Sequence, residues 1–282
     1  MRTEILKCPV CGGGLMHSAD GKSLICINKH CFDIARKGYV NLLMRAGGRH
    51  GDDKTMLEAR RDFLSRGHYL PIAEAVTEAC RGSRLLDMGC GEGYYTQHMC
   101  LANREVYAFD VSGRACAMTA GRAKAASVFA ASAFDIPVKP ESVDCAVSIF
   151  APYDAGEVRR VLNMGGLFVR VYPLPEHLME LKRAIYDIPR ENPEEKTDIA
   201  GFALRENRRL RYSFNMKSTE EIMALFAMTP YFYKTGRAAA ERIGHTDSLE
   251  CTAAVGVAVY SKESSGRIGQ PAYLQMQRCA QN

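Results

Sequence analysis

Cys8-Pro-Val-Cys11 places two thiols on one tight turn, and after fourteen further residues Cys26 is followed by Ile-Asn-Lys and His30. A two-residue gap lets both thiolates face one metal, and Gly12, Gly13 and Gly14 allow the positive φ such a turn demands. Cys26-x3-His30 would complete a Cys3His tetrahedron from a facing hairpin, with Cys31 as the alternative fourth ligand. Four protein ligands leave no position for water, so the expected role of Zn2+ is structural. The surrounding 35 or so residues hold few large apolar side chains, and a metal supplies what such a core lacks. Of the eleven cysteines, Cys80, Cys90, Cys100, Cys116, Cys145, Cys251 and Cys279 are scattered, several among Val, Ala and Ile, where cysteine packs as a small apolar residue.

A second constellation begins at the apolar run Leu85-Leu86-Asp87-Met88. It ends in Gly89-Cys90-Gly91-Glu92-Gly93, after which Tyr94-Tyr95-Thr96 opens a helix; Glu105–Asp110 reads as the next strand. The glycines let backbone approach a ligand, and Asp110 is placed to bond both ribose hydroxyls of a nucleoside. A dinucleotide site would bring pyrophosphate to the helix N-terminus. Here the acidic Asp87 and Glu92 flank the glycines and would repel it. They suit a sulfonium bearing an ammonium group, which favours S-adenosylmethionine over NAD.

Strands at 127–130, 143–150 and 167–172, with helices near 154–162 and 175–187, continue the alternation. It predicts an α/β fold, a mostly parallel sheet with helices on both faces, preceded by a small N-terminal zinc-binding module. Four segments are expected: a ribbon over 1–37, a connector with lead-in helices over 38–82, the core over 83–262 and a flexible tail over 263–282. In the connector, Thr55-x-x-Glu58 matches a capping box, with Met56, Leu57, Arg60, Phe63 and Leu64 on one stripe. Gly67 should end that helix, and Pro71 fits the first turn of the next.

With 47% hydrophobic and 24% charged residues in 282, the chain is of ordinary globular composition. No run approaches the ~18 apolar residues of a membrane span, and the N-terminus carries no secretory pattern. A cytoplasmic protein is expected. The net charge is +5, and residues 1–50 account for all of it. A basic end on a neutral body suggests an anionic partner such as nucleic acid. The candidate phosphate contacts are Lys29, Arg36, Lys37, Arg45 and Arg49, with Arg60 and Arg61 extending the track.

The loop, together with VLNMGGLF at 161–168 and AFDIP at 133–137, resembles class I S-adenosylmethionine-dependent methyltransferases, whose fold is Rossmann-like. In that resemblance 133–137 closes over the adenine, with Ser132 where many such enzymes carry an acid. The whole chain from Cys8 to about Tyr260 resembles the RlmA-type 23S rRNA guanine-N1 methyltransferase family. CPVCGG, HCFDIARKGYVNLL (30–43), EARRDFLSRGHYLPI (58–72), LDMGCGEGYYT (86–96), IFAP (149–152), HLMELK (177–182) and MTPY (228–231) carry it. The resemblance implies that the ribbon helps grip a 23S rRNA stem-loop, that Tyr69 and His177 touch the cofactor, and that His30 is the fourth zinc ligand. A homodimer is a further expectation.

Guanine N1 carries a proton at neutral pH, so a base or hydrogen bonds must favour its removal. Asp154, Glu157 and Glu180 are the candidates, with His177 beside them. Ile149-Phe150-Ala151-Pro152 stands where an exocyclic-amine enzyme would carry Asn/Asp-Pro-Pro-Tyr, and no Pro-Cys pair offers the nucleophile of a 5-methylcytosine enzyme. Phe150 and Tyr153 could stack on a flipped base. Two other readings are a small-molecule methyltransferase of the same fold and a non-catalytic zinc RNA-binding protein.

Overall fold

The computed structural model describes residues 1–44, 51–102, 104–235 and 237–263; Arg45, Arg49 and the tail beyond Glu263 lie outside them. Three short antiparallel strands, β1 (Leu15–His17), β2 (Ser23–Cys26) and β3 (Cys31–Asp33), form the N-terminal ribbon. Then follow β4 (Tyr39–Asn41), α1 (Lys54–Ser65), α2 (Leu70–Ala79), β5 (Arg84–Met88), α3 (Tyr94–Cys100), β6 (Glu105–Asp110), α4 (Gly113–Arg122) and β7 (Ser127–Ala130). The second half runs β8 (Val143–Ile149), α5 (Ala155–Val161), β9 (Leu162–Pro173), α6 (Met179–Ile185), β10 (Phe202–Met216), α7 (Thr219–Ala227), α8 (Tyr231–Lys234), α9 (Arg237–Gly244) and β11 (Leu249–Lys262).

The eight-stranded sheet has the order β10-β11-β9-β8-β5-β6-β7-β4. All pairs from β4 to β9 are parallel, and β11 and β10 are antiparallel. From β5 the chain winds outward through β6 and β7, then returns to β8 on the other side of β5. That reversal opens a crevice beyond the carboxyl ends of β5 and β8, the place where ligands bind in such sheets. Strands buried on both faces read as continuous apolar runs; Val106–Phe109 and Cys145–Val147 are at most 1% exposed.

Several expectations need correction. The stretch over 38–52 is more than a connector, because Tyr39-Val40-Asn41 pairs in parallel with Val128-Phe129-Ala130 and adds a strand to the sheet. The cap of α1 is Asp53, whose Oδ1 accepts the Met56 N–H at 2.9 Å, so Thr55 already lies inside the helix and no capping box forms. The helix read over 175–187 is shorter, entered through Leu178 at φ +56°. The long β10–β11 pair was not anticipated.

The ribbon does not stand alone. Leu6 bridges Val138, the Lys7 N–H donates to the Pro137 carbonyl at 3.0 Å, and Tyr107 Oη donates to Glu4 Oε2 at 2.8 Å. Ile5, Leu6, Leu24 and Val40 share one apolar cluster with Leu86, Tyr107 and Phe109 of the sheet. The large apolar side chains the ribbon lacks are those of the sheet.

Candidate active site and zinc centre

Cys8, Cys11, Cys26 and His30 bring one donor atom each to within 4.8 Å of one another. Cys11 Sγ lies 3.6 Å from Cys26 Sγ, and His30 Nδ1 lies 3.6 and 3.4 Å from the sulfurs of Cys8 and Cys26. A tetrahedron with metal–sulfur bonds of about 2.3 Å has edges of about 3.8 Å, so the donor set and its size fit Zn2+ with every position filled by protein. Cys31, the alternative ligand, is exposed and outside the cluster.

The glycine loop meets the demands read from its sequence. Gly89, Gly91 and Gly93 have φ of +74°, +57° and +92°. A Cβ on Gly93 would lie 2.8 Å from the Thr119 backbone, and one on Gly89 would lie 2.6 Å from the Ala151 Cβ. Asp110 Oδ2 accepts the Gly91 N–H at 3.0 Å and Oδ1 accepts the Ser112 N–H at 2.8 Å. Burial raises the Asp110 pKa, against the pull of those two N–H groups.

A cavity of about 1460 Å3 lies over this loop. Tyr69, Gly89, Cys90, Gly91, Tyr95, Asp110, Ser132 and His177 all line it. Asp87, Gly93 and Thr96, expected at the cofactor, do not. Instead Thr96 Oγ1 donates to Asp87 Oδ2 at 2.6 Å beneath the loop, and burial pushes the Asp87 carboxyl up to about 7. Glu92 is also committed, accepting the Tyr94 N–H at 3.1 Å and pairing with Arg122. The negative character of the loop therefore rests on Asp110 more than on Glu92.

Facing the loop, Tyr69 is buried, 3.5 Å from His177 Nε2. His177 Nδ1 accepts the Ala254 N–H at 3.1 Å, and burial, reinforced by Lys182, pushes the imidazole pKa down to about 4. It is therefore a neutral ring with its proton on Nε2. The Phe150 ring stacks on it, with centroids 5.9 Å apart. Phe150 sits at φ +53° and is 43% exposed. A bulky side chain in that left-handed conformation is an outlier that the surroundings must enforce. Tyr153 lines the same wall.

None of the three proposed bases lines the cavity. Asp154 caps α5, accepting the Glu157 N–H at 2.8 Å. Glu157 is held by Arg160 and by the Ile136 N–H at 2.8 Å. Glu180 accepts both the Thr252 N–H and its hydroxyl at 3.0 Å. Each carboxylate is already committed: Asp154 to a helix cap, Glu157 to an ion pair and a backbone N–H, Glu180 to Thr252 of a strand.

Arg60 likewise departs from expectation. It pairs with Asp52, donates to the Met228 carbonyl at 3.2 Å and stands in the cavity wall beside Gly91, not on an outward track. Lys29, Arg36, Lys37 and Arg61 are exposed. Sequence reasoning missed Arg170 and Glu195, and Met228–Tyr231 entered it only as a resemblance; all line the cavity. MTPY was the only local signal among them.

The switch-point cavity, the glycine loop with its strand-terminal acid and the mostly parallel eight-stranded sheet define a class I S-adenosylmethionine-dependent methyltransferase. Residues 86–169 match the family described as a methyltransferase domain, and residues 6–44 match the RlmA N-terminal zinc ribbon. The chain is 33% identical over 190 residues to the 23S rRNA (guanine(748)-N(1))-methyltransferase of Streptomyces fradiae, covering 64% of this chain and 67% of that one. Two chains named for the same guanine-N1 reaction are similar over more of their length. The Micromonospora griseorubida protein is 31% identical over 292 residues (90% and 96% covered), and the Bacillus subtilis protein 28% over 286 (92% and 98%). The chain belongs to the RlmA-type 23S rRNA (guanine-N1)-methyltransferase family. Among the described residues no helix is long and apolar enough to cross a membrane.

Proposed function

We propose that the protein transfers the methyl group of S-adenosylmethionine to N1 of a guanine in a 23S rRNA stem-loop. One observation carries the reading: a single cavity of about 1460 Å3 joins the glycine loop to Phe150 and Tyr153. A pocket for one small molecule is roughly 300–1,000 Å3, so this one has room for a nucleoside cofactor and a flipped base together. The names of the relatives supply the substrate class.

Asp110 would hold the ribose hydroxyls, Gly89, Cys90 and Gly91 the amino-acid arm, Ser132 the adenine side, and Tyr69, Tyr95 and His177 the opposite wall. Arg60, the cation beside Gly91, suits the cofactor carboxylate. Bound S-adenosylmethionine supplies an electrophilic methyl carbon whose transfer discharges the sulfonium. The protein's part is to align N1 with that carbon and exclude water. Phe150, half-exposed and stacked on His177, offers a face to the extruded base. The ribbon's exposed Lys29, Arg36 and Lys37 would hold phosphates, which fix register without reading sequence.

The test is mass mapping of 23S rRNA treated with the purified protein and labelled cofactor. The expected result is one labelled guanine methylated at N1 within a hairpin. Methyl transfer to small molecules but not to the RNA would favour the rival reading.

A further inference from the structure

Of the five acids on the cavity wall, Asp110 is bound to two backbone N–H groups, Glu92 to Arg122 and Asp52 to Arg60, leaving Asp135 and Glu195. Glu195 Oε1 lies 2.9 Å from Arg170 Nη2, and its Oε2 makes no hydrogen bond among the described residues.

Arg170 is firmly placed. Its guanidinium lies 5.2 Å from the Tyr153 ring centroid and 5.3 Å from that of Tyr172, and Nη1 donates to the Lys196 carbonyl at 3.3 Å. The irregular segment carrying Glu195 is pinned a second time through Asn192, which accepts from Lys182 Nζ at 2.7 Å and donates to the Leu174 carbonyl at 2.9 Å. Both partners are cavity-lining, with the Arg170 side chain 13% and the Glu195 side chain 37% exposed. A carboxylate is thus held through one oxygen by an ion pair, on the cavity wall that also carries Phe150 and Tyr153.

We infer that Glu195, positioned by Arg170, recognises the guanine edge and takes the proton from N1. This rests on the reading of the substrate as guanine. Guanine presents N1–H and N2–H side by side, two donors that match an acceptor-only carboxylate. Adenine presents a bare N1 to the same group and is repelled. The N1 proton passes to Oε2, leaving its electron pair on N1. That pair forms the bond to the methyl carbon as the carbon–sulfur bond breaks, and the departing pair neutralises the sulfonium. The pair left on N1 lies in the ring plane along the line of the departed proton, so the protonated carboxyl must draw back from that line, keeping only N2–H, before the methyl carbon arrives. The partly exposed carboxyl then returns the proton to water. Arg170 is a positioning residue.

The experiment is single-turnover methylation of 23S rRNA across pH by wild type, Glu195→Gln and Glu195→Asp, with cofactor affinity measured in parallel. The expected result is a loss of about 10²–10⁴-fold in rate for Glu195→Gln, with unchanged cofactor affinity and a rate that climbs with pH as N1 ionises unaided. Glu195→Asp should recover part of the rate and the wild-type pH profile. A Gln variant within about threefold of wild type, with the wild-type profile, overturns the assignment. So does a loss of rate that tracks loss of cofactor affinity, which marks Glu195 as a brace of the wall. Wild-type protein that modifies the RNA elsewhere than guanine N1 overturns the substrate reading and this inference with it.

Discussion

The Gly91 N–H donates to Asp110 Oδ2 at 3.0 Å, tying the glycine loop to the acid at the end of the neighbouring strand. Each oxygen of Asp110 accepts one backbone N–H and keeps a lone pair for a ribose hydroxyl. Charge-assisted bonds of this kind contribute roughly 1.5–3 kcal/mol. Asp110→Ala should therefore weaken S-adenosylmethionine binding by about ten- to a hundredfold in calorimetry, with RNA affinity nearly unchanged. Wild-type cofactor affinity in the variant would place the pocket elsewhere.

Arg60 separates two assignments. If it serves the cofactor, Arg60→Ala lowers S-adenosylmethionine affinity and leaves the salt dependence of RNA binding alone. If it serves phosphate, the salt slope flattens by about one charge and cofactor affinity holds. Its pairing with Asp52 and its place beside Gly91 predict the first outcome.

For the metal, about one zinc per chain is expected. Cys26→Ser should release it and lower thermal stability, because the ribbon and the sheet share one apolar cluster. Cys31→Ser should retain it, since that thiol lies outside the donor set. Metal analysis by mass spectrometry decides both.

Acid should destabilise the fold through His177. Its pKa is lowered from 6.5 to about 4, so as pH falls through that window the unfolded chain takes up a proton that the native imidazole refuses. Stability is lost there, by up to ~3 kcal/mol from this residue, and above pH 6.5 the residue adds no slope. In urea unfolding at several pH values, His177→Phe should remove this slope. It should also cost about 1–3 kcal/mol at neutral pH, because the Ala254 N–H loses its acceptor.

Arg36→Ala/Lys37→Ala should raise the KM for rRNA and flatten its salt dependence by about one to two charges, with turnover at saturating RNA near wild type. These side chains are exposed and outside the cavity wall. Deleting residues 1–50 would be a poor substitute, because it also strips β4 from the sheet.

What the sequence showed of the site was what is local in the chain. The glycine loop, Asp110 and the zinc ligands are each bound to a turn or a strand end, and turn chemistry is written in neighbouring residues. Strands β6 and β7 were read to the residue for a similar reason, being short buried runs between clear breaks. Arg170 and Glu195 are 25 positions apart and meet only through the path of the chain after β9. No spacing rule marks such a pair. Asp154, Glu157 and Glu180 failed for the opposite reason: residue type does not reveal that a carboxylate is consumed by a helix cap, an ion pair or a strand N–H. Arg60 was misread because a cation on an amphipathic helix looks the same in sequence whether it faces water or a cavity.

The three-residue strand Tyr39–Asn41 has a consequence for the life of the chain before it meets any substrate. It covers the outer side of β7 and is joined to the zinc ribbon by only five residues after Asp33. An unpaired strand edge is a template for another chain. In a cell short of zinc the ribbon would fail to settle, β7 would lie bare, and newly made protein would be exposed to clumping and to proteases. Metal scarcity would then reduce how much enzyme survives before it altered how well each molecule works.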